Sequence, residues 1–327
     1  MQSETNHITV CICTFKRPQM IFNLLSKLQN QVTENLFTYS AVVVDNDTYQ
    51  SARETVNTWQ DKSAIKIDYY FEPEQNIALA RNKAVENATG NFIAFIDDDE
   101  FPTDSWLLNL YKSLLKYSVD GVLGPVKPHY PEMTPDWLIK SKLCERPEHK
   151  TGTILHWGET RTGNAILNKR LFEDKKNLWF DPAFGKTGGE DTIFFKKHHE
   201  NGKTFVWCNE AVVYETVPPE RCTKIFHIRK NLRIGCGVGE NLRKQEAEFT
   251  PPDKKSNNML IYNRIIILMR QFFLICKSLI WIILTAIPLP LIVFCGKAYY
   301  VRFLAKLSYN FGVISGFFGF VIIRYRT

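Results

Sequence analysis

The chain has 327 residues, 45% hydrophobic and 23% charged, with a formal net charge of +7; that is room for a domain of the usual ~50–250 residues plus a further segment. Its eight cysteines include no CxxC pair, and no signal-peptide pattern precedes "HITVCICTF", so no disulfide framework is legible and a reducing cytosol is expected. The charge sits in residues 251–327, which hold ten Lys or Arg against the single acid Asp253 and leave 31 bases and 33 acids before them; those bases are interleaved with apolar runs, which argues against nucleic acid as a partner.

Residues 1–250 read as repeated strand-then-helix units, the pattern of an α/β domain around a mostly parallel sheet. "HITVCICTF" is a strand whose Cys11 and Cys13 share one face as small buried residues, and "PQMIFNLLSKLQNQ" is a helix with Pro18 in its first turn. "YSAVVVDND" and "IKIDYYFEPE" are strands, "NIALARNKAVENA" is a helix stopped by Gly90, and "NFIAFIDDDE" is a fourth strand ending in acids. "SWLLNLYKSLLKY" has helical spacing, "GVLGPVKP" reads as one more strand, and "GEDTIFFKKHHENG" as a helix closed by Gly202. The polar, Pro-containing stretch after it divides the chain into a domain over 1–245, a linker over 246–260 and a hydrophobic helical tail over 261–327.

In open α/β sheets ligands bind beyond the carboxyl ends of the strands. Thr14 and Arg17 follow strand one, Asp45 follows strand two, and Asp97, Asp98, Asp99 and Glu100 follow strand four. The turn "TFKRPQ" contains no glycine, which disfavours a dinucleotide fingerprint or a phosphate-cradling loop. Phosphates would then be held through a divalent metal: strand alternation would set Asp97 and Asp99 on one side and Asp98 on the other, converging two carboxylates on Mg²⁺ or Mn²⁺. Taken alone, the cluster also reads as a solvated acidic turn.

Together, "VCICTFKRP", "VVVDND", "NIALARNKAVENATGNFIAFIDDDEFP", "TGNAILNKRLF" and "GGEDTIFF" resemble a family 2 glycosyltransferase of the GT-A fold. The flavour is that of bacterial exopolysaccharide and lipopolysaccharide enzymes, including those of succinoglycan type that extend lipid-linked oligosaccharides. The resemblance covers roughly residues 7–240 and implies an inverting transfer of a sugar from a nucleotide-diphosphate donor, with UDP the expected nucleotide, to an acceptor hydroxyl. It implies that Thr14 and Asp45 contact the nucleotide and that Arg81 faces the donor or its phosphates; Arg17, from its place after strand one, is expected in the same donor site. Asp97 and Asp99 become the outer members of a DxD motif, Asp99 the nearer metal ligand and Asp97 near the ribose or sugar, with Asp98 between them in the donor site. Asp191 becomes the catalytic base, with Glu190 orienting the acceptor.

The residue types suit that chemistry independently. Charge builds on the departing diphosphate, where a cation helps, and single-step inversion needs a base on the opposite face of the sugar. Arg221, Arg229 and Arg233 fall roughly on one helical face, suited to a donor diphosphate or a phosphorylated lipid carrier, or simply to solvent. His129, His156, His198, His199 and His227 show no metal-ligand spacing and read as structural or surface residues, while Trp137 and Trp157 suit sugar stacking or core packing. Two other classes stay open: a membrane-bound sugar-nucleotide binder without activity, and a metal-dependent nucleotidyl or phosphoryl transferase. The runs at 278–295 and 307–323 contain 18 and 17 residues, marginally enough to span a bilayer core of about 30 Å. A shallow hairpin on the cytosolic leaflet suits Lys297, Arg302 and Lys306 better. Either form would hold the protein at the cytoplasmic face of the cell membrane, near a lipid-linked or glycan acceptor.

Overall fold

The computed structural model describes residues 6–173, 179–186, 188–247 and 257–320. In chain order it contains β1 (His7–Thr14), α1 (Pro18–Leu28), β2 (Thr38–Asp45), α2 (Arg53–Gln60), β3 (Ile67–Phe71), α3 (Ile77–Glu86), β4 (Phe92–Ile96), β5 (Glu100–Pro102), α4 (Trp106–Tyr117), β6 (Gly121–Leu123), β7 (Val126–His129) and α5 (Asp136–Ser141). There follow β8 (Asn164–Asn168), α6 (Glu190–Glu200), β9 (Phe205–Trp207), β10 (Val213–Thr216), α7 (Lys224–Ala247), α8 (Asn257–Ala286), α9 (Leu289–Ile292) and α10 (Lys297–Phe317). Contacts divide the chain into two units, Met1–His129 with Glu145–Thr216, and Tyr130–Cys144 with Val217–Thr327.

The first unit is built on a seven-stranded sheet of order β3-β2-β1-β4-β8-β6-β9, in which β8 alone runs against its neighbours. Helices cover both faces, which explains why the central strands are apolar almost without interruption. On one face Ile8, Val10 and Ile12 pack with Leu24 and Leu25 of α1, Val56 of α2 and Leu110 of α4. On the other, Cys11, Val44 and Phe95 pack with Ala80 and Ala84 of α3 and Phe194 of α6. The expected single strand "GVLGPVKP" is two strands: Gly124 and Pro125 interrupt it, so β6 joins the large sheet and β7 a second sheet of order β5-β10-β7. Proline has no N–H to continue a ladder.

In the second unit α7 and α10 touch backbone to backbone. A Cβ on Gly235 would lie 2.0 Å from the Tyr309 carbonyl oxygen, and one on Gly316 2.1 Å from that of Cys236, so any side chain there would force the helices apart, as at small-residue helix crossings generally. This packing groups α7 with the later helices, whereas the sequence placed residues up to 245 with the first domain. Trp137 and Leu138 of α5 pack with Val217 and Val301 in this unit. Part of the expected linker, 248–256, lies outside the described residues, and α8 starts at Asn257.

The two expected spans do not appear as single helices. Among the described residues no helix alone is long and apolar enough to cross a membrane. Gln271–Ala286 and Leu289–Cys295 meet that test only together, bent by 48° at a break where Pro288 and Pro290 remove N–H donors. Residues 321–323 of the second run lie outside the described residues.

Candidate active site

The opening of the site is a turn between β1 and α1. Lys16 takes the left-handed backbone (φ 57°) that a glycine would otherwise supply, and Pro18 starts α1 with its φ preset. Thr14 Oγ1 donates to Asp98 Oδ2 at 2.8 Å, and Arg17 Nη1 donates to Asp98 Oδ1 at 2.7 Å and to Asp99 Oδ2 at 3.1 Å.

Strand alternation does not reach the acids. β4 ends at Ile96, before the acids, and Asp97–Glu100 form a turn closed by the Glu100 N–H donating to the Asp97 carbonyl at 3.1 Å. Turn geometry separates Asp97 from Asp99: Asp99 shares Arg17 with Asp98, while Asp97 Oδ1 lies 3.7 Å from Arg81 Nη2. Asp98, assigned to the far side, is the buried member facing β1. Burial raises its carboxyl above the usual range, against the pull of Arg17 and Thr14.

Arg81 projects from α3, a helix capped by Asn76 Oδ1 accepting from the N–H groups of Ala78 and Leu79. Its guanidinium is buried, lies over the Phe180 ring at 5.6 Å and pairs with Glu190 Oε1. Burial opposes its charge, but Asp97 and Glu190 outweigh that and hold Arg81 above its ordinary value, so it is a permanent cation. Glu190 and Asp191 occupy the first turn of α6, entered through Gly188 and Gly189 at φ 84° and 99°. Asp191 Oδ1 accepts from the Thr192 N–H at 2.7 Å. Glu190 Oε2 is buried with no hydrogen-bond partner among the described residues.

A second group of charges adjoins Asp97, and apart from Glu100, the last acid of the run, its members share no sequence motif. Glu100 is buried in β5, and a Cβ on Gly163 would come within 2.8 Å of its Oε1 and 3.0 Å of Asp97 Oδ2, which is why the chain entering β8 has no side chain there. Arg146 pairs with Glu215 and lies 3.9 Å from Glu100 Oε1. Burial, and Asp97 beside it, raise Glu100 well above the usual carboxylate range, with Arg146 opposing. Arg161 is lowered by burial and by Arg146, with Asp191 pulling the other way. Only the adjacency of Arg161 to "TGNAILN" could have drawn attention to it.

The remaining expected residues are more dispersed. Asp45 is fully buried, and its carboxylate accepts from the N–H groups of Asp47 and Ala52 and from the Tyr69 hydroxyl at 2.8–3.1 Å; it holds the loop after β2. Arg221 belongs to the second unit, where its carbonyl bonds the His227 ring at 2.8 Å. Trp137 is a core residue edge-on to His227, and Trp157 packs partly buried in the first unit. His156 caps a short 3₁₀ turn through Nδ1.

Among the described residues no group of three or more His, Cys, Asp or Glu side chains is placed to hold a metal ion. A hard cation that keeps waters and substrate phosphates needs only one or two protein carboxylates, all oxygen donors. The acidic turn offers such donors: Asp97 and Asp99 supply carboxylate oxygens that fit Mg²⁺ or Mn²⁺ in donor chemistry, each from its own side of the turn, beside Arg81 and Arg17 respectively.

The family description "Glycosyl transferase family 2" matches residues 9–190, which takes in β1 through Glu190 and so nearly every element of this site. The chain belongs to glycosyl transferase family 2. This glycosyltransferase is 35% identical over 241 residues to the succinoglycan biosynthesis protein ExoM of Rhizobium meliloti (strain 1021), covering 72% of this chain and 75% of the relative. It is 23% identical to the GalNAc(5)-diNAcBac-PP-undecaprenol beta-1,3-glucosyltransferase of Campylobacter jejuni, covering 69% and 63%. Among solved structures S. aureus TarS superimposes with a TM-score of 0.54 at 16% identity, covering 94% of this chain and 55% of that one. TarS 1-349 in complex with UDP-GlcNAc gives 0.52, covering 94% and 91%. At that identity the likeness establishes the fold, a GT-A-like α/β domain with a mostly parallel sheet.

Proposed function

We propose that the enzyme transfers a sugar, with inversion, from a UDP-linked donor to a hydroxyl of a lipid-linked glycan in bacterial exopolysaccharide synthesis. One observation carries this reading: Arg81 pairs with Glu190 and approaches Asp97, so the helix start bearing Asp191 and the acidic turn belong to one electrostatic cluster. A transferase needs that juxtaposition, because leaving-group stabilisation and proton removal act on the same anomeric carbon. The relation to ExoM supports the pathway class, TarS with UDP-GlcNAc the donor class, and the Campylobacter relative, named for an undecaprenol-linked acceptor, the acceptor class.

In the proposed step the acceptor oxygen forms a bond to the anomeric carbon as the bond from that carbon to the diphosphate oxygen breaks. The electron pair leaves with the diphosphate, and the acceptor proton passes to the Asp191 carboxylate. Its modest basicity suffices because the hydroxyl becomes acidic only late in the displacement. Asp97 and Asp99 would hold Mg²⁺ or Mn²⁺, which when bound supplies positive charge to the departing diphosphate. Thr14 and Arg17 fix Asp98 and so the shape of the acidic turn, and Arg81 orients Glu190 beside Asp191.

We place this activity at the cytoplasmic face of the cell membrane, held there by the C-terminal helices. Met269, Phe272, Phe273, Ile287, Leu291 and Phe294 are 66–88% exposed, too large an apolar face for water alone, and bases accompany it: Lys306 Nζ sits 3.1 Å from the centroid of Trp281. The bend at Pro288 favours a re-entrant or interfacial arrangement over two straight spans. The test is incubation of the purified chain with a panel of UDP-sugars, Mn²⁺ and a lipid-linked acceptor. Release of nucleoside diphosphate with glycan extension is expected; release of pyrophosphate would point to the nucleotidyltransferase alternative, and binding without turnover to the inactive binder.

A further inference from the structure

The first turns of α7 carry Phe226, Arg229, Lys230 and Arg233 at i, i+3, i+4 and i+7, one stripe of the helix. With Glu220, Thr223 and Ile225 these residues line a groove of about 280 Å³ that lies wholly within the second unit. Its lining holds three basic side chains and one carboxylate, and it begins at the N-terminal end of a 24-residue helix, where the peptide dipoles add positive potential over the first turn. Guanidinium groups match phosphate oxygens two at a time. The volume is slightly below the ~300–1,000 Å³ of pockets that enclose whole drug-sized ligands, so the groove suits an anionic head and not an entire nucleotide sugar. Ile225, 60% exposed, and Phe226 supply an apolar wall beside the cations, an arrangement that matches a phosphate ester attached to hydrocarbon.

We propose that this groove binds the phosphate or diphosphate group joining the acceptor glycan to its lipid. The proposal rests on the reading of the acceptor as lipid-linked. The same unit exposes the apolar face of α8 and α9, which supplies a hydrocarbon environment for the attached chain.

The test uses the full chain in detergent with farnesyl diphosphate as probe, inorganic pyrophosphate and phosphatidylglycerol vesicles as comparisons, and UDP-sugar binding as control. Farnesyl diphosphate should bind, pyrophosphate should compete more weakly, and Arg229→Gln with Arg233→Gln should lower farnesyl diphosphate affinity by about tenfold or more while UDP-sugar affinity holds. Ile225→Ser should weaken farnesyl diphosphate and leave pyrophosphate unchanged. Unchanged farnesyl diphosphate affinity in the double variant overturns the proposal. So does loss of vesicle binding alone, which would assign the cations to lipid headgroups, and so does equal affinity for pyrophosphate and farnesyl diphosphate, which would assign them to free phosphate. If the wild type binds farnesyl diphosphate here yet transfers no sugar, the groove stands and the transferase reading fails.

Discussion

Arg81 and Glu190, 109 positions apart in sequence, form a buried ion pair, and the second Glu190 oxygen has no hydrogen-bond partner among the described residues. Removing one member of such a pair strands the other charge away from water. Arg81→Met should therefore destabilise the first unit by about 3–5 kcal/mol in urea unfolding, and the double variant Arg81→Met with Glu190→Gln should recover part of that loss. A single variant as stable as the wild type would show that the pair contributes little.

The acidic turn separates two roles that the DxD pattern merges. Asp98→Asn keeps one acceptor oxygen but replaces the other with an NH₂ donor and removes the charge that Arg17 pairs with, so Thr14 and Arg17 cannot both be satisfied, and it should lower thermal stability as well as activity. Asp99→Ala should leave the melting temperature near the wild-type value and remove Mn²⁺-dependent UDP-sugar binding, measured by calorimetry. Full Asp99→Ala activity in chelator would remove the metal from the account.

Glu100 gives a pH signature. Its carboxyl is raised by burial first and by Asp97 next, so the folded chain holds this proton more tightly than the unfolded one. The contribution is complete below the ordinary glutamate value, about 4.3, and is lost as pH rises through the raised value. In chelator, wild-type thermal stability should fall across that window and Glu100→Gln should flatten the fall. A variant with the same slope as the wild type would place the titration elsewhere.

The tail is tested by labelling at Tyr299→Cys in a background carrying Cys295→Ser. Protection from an impermeant reagent in intact cells, with the protein in the membrane fraction, is the expected outcome. Labelling from outside would require two spans, and recovery in the soluble fraction without detergent would end the membrane proposal.

Much of this was legible before the structure because it is local. The apolar runs of β1, β2 and β4 and the amphipathic α1, opened by Pro18, announce themselves by period and α3 by its Asn76 cap, and Thr14, Arg17, Asp98 and Asp99 meet because parallel strands end on the same edge. Strand alternation failed at Asp97 because hydrogen bonding to Glu100 turns the chain one residue after Ile96, which no periodicity encodes. Arg146, Arg161 and Gly163 were missed, and Glu100 was read only as one more acid of the run, for a related reason: they come together through β5, β8 and the chain before it, short elements whose pairing is decided by tertiary contacts. The grouping of α7 with α10 depends on glycines that carry no hydrophobic signal.

The central claim, a base at Asp191 acting on a sugar held by its diphosphate, is tested most directly by the single-turnover transfer rate of Asp191→Asn from a UDP-sugar, measured beside the donor dissociation constant. A rate lower by about two to four orders of magnitude is expected, with donor affinity nearly unchanged and the wild-type product inverted at the anomeric carbon. Transfer at close to the wild-type rate, or a product of retained configuration, would contradict it.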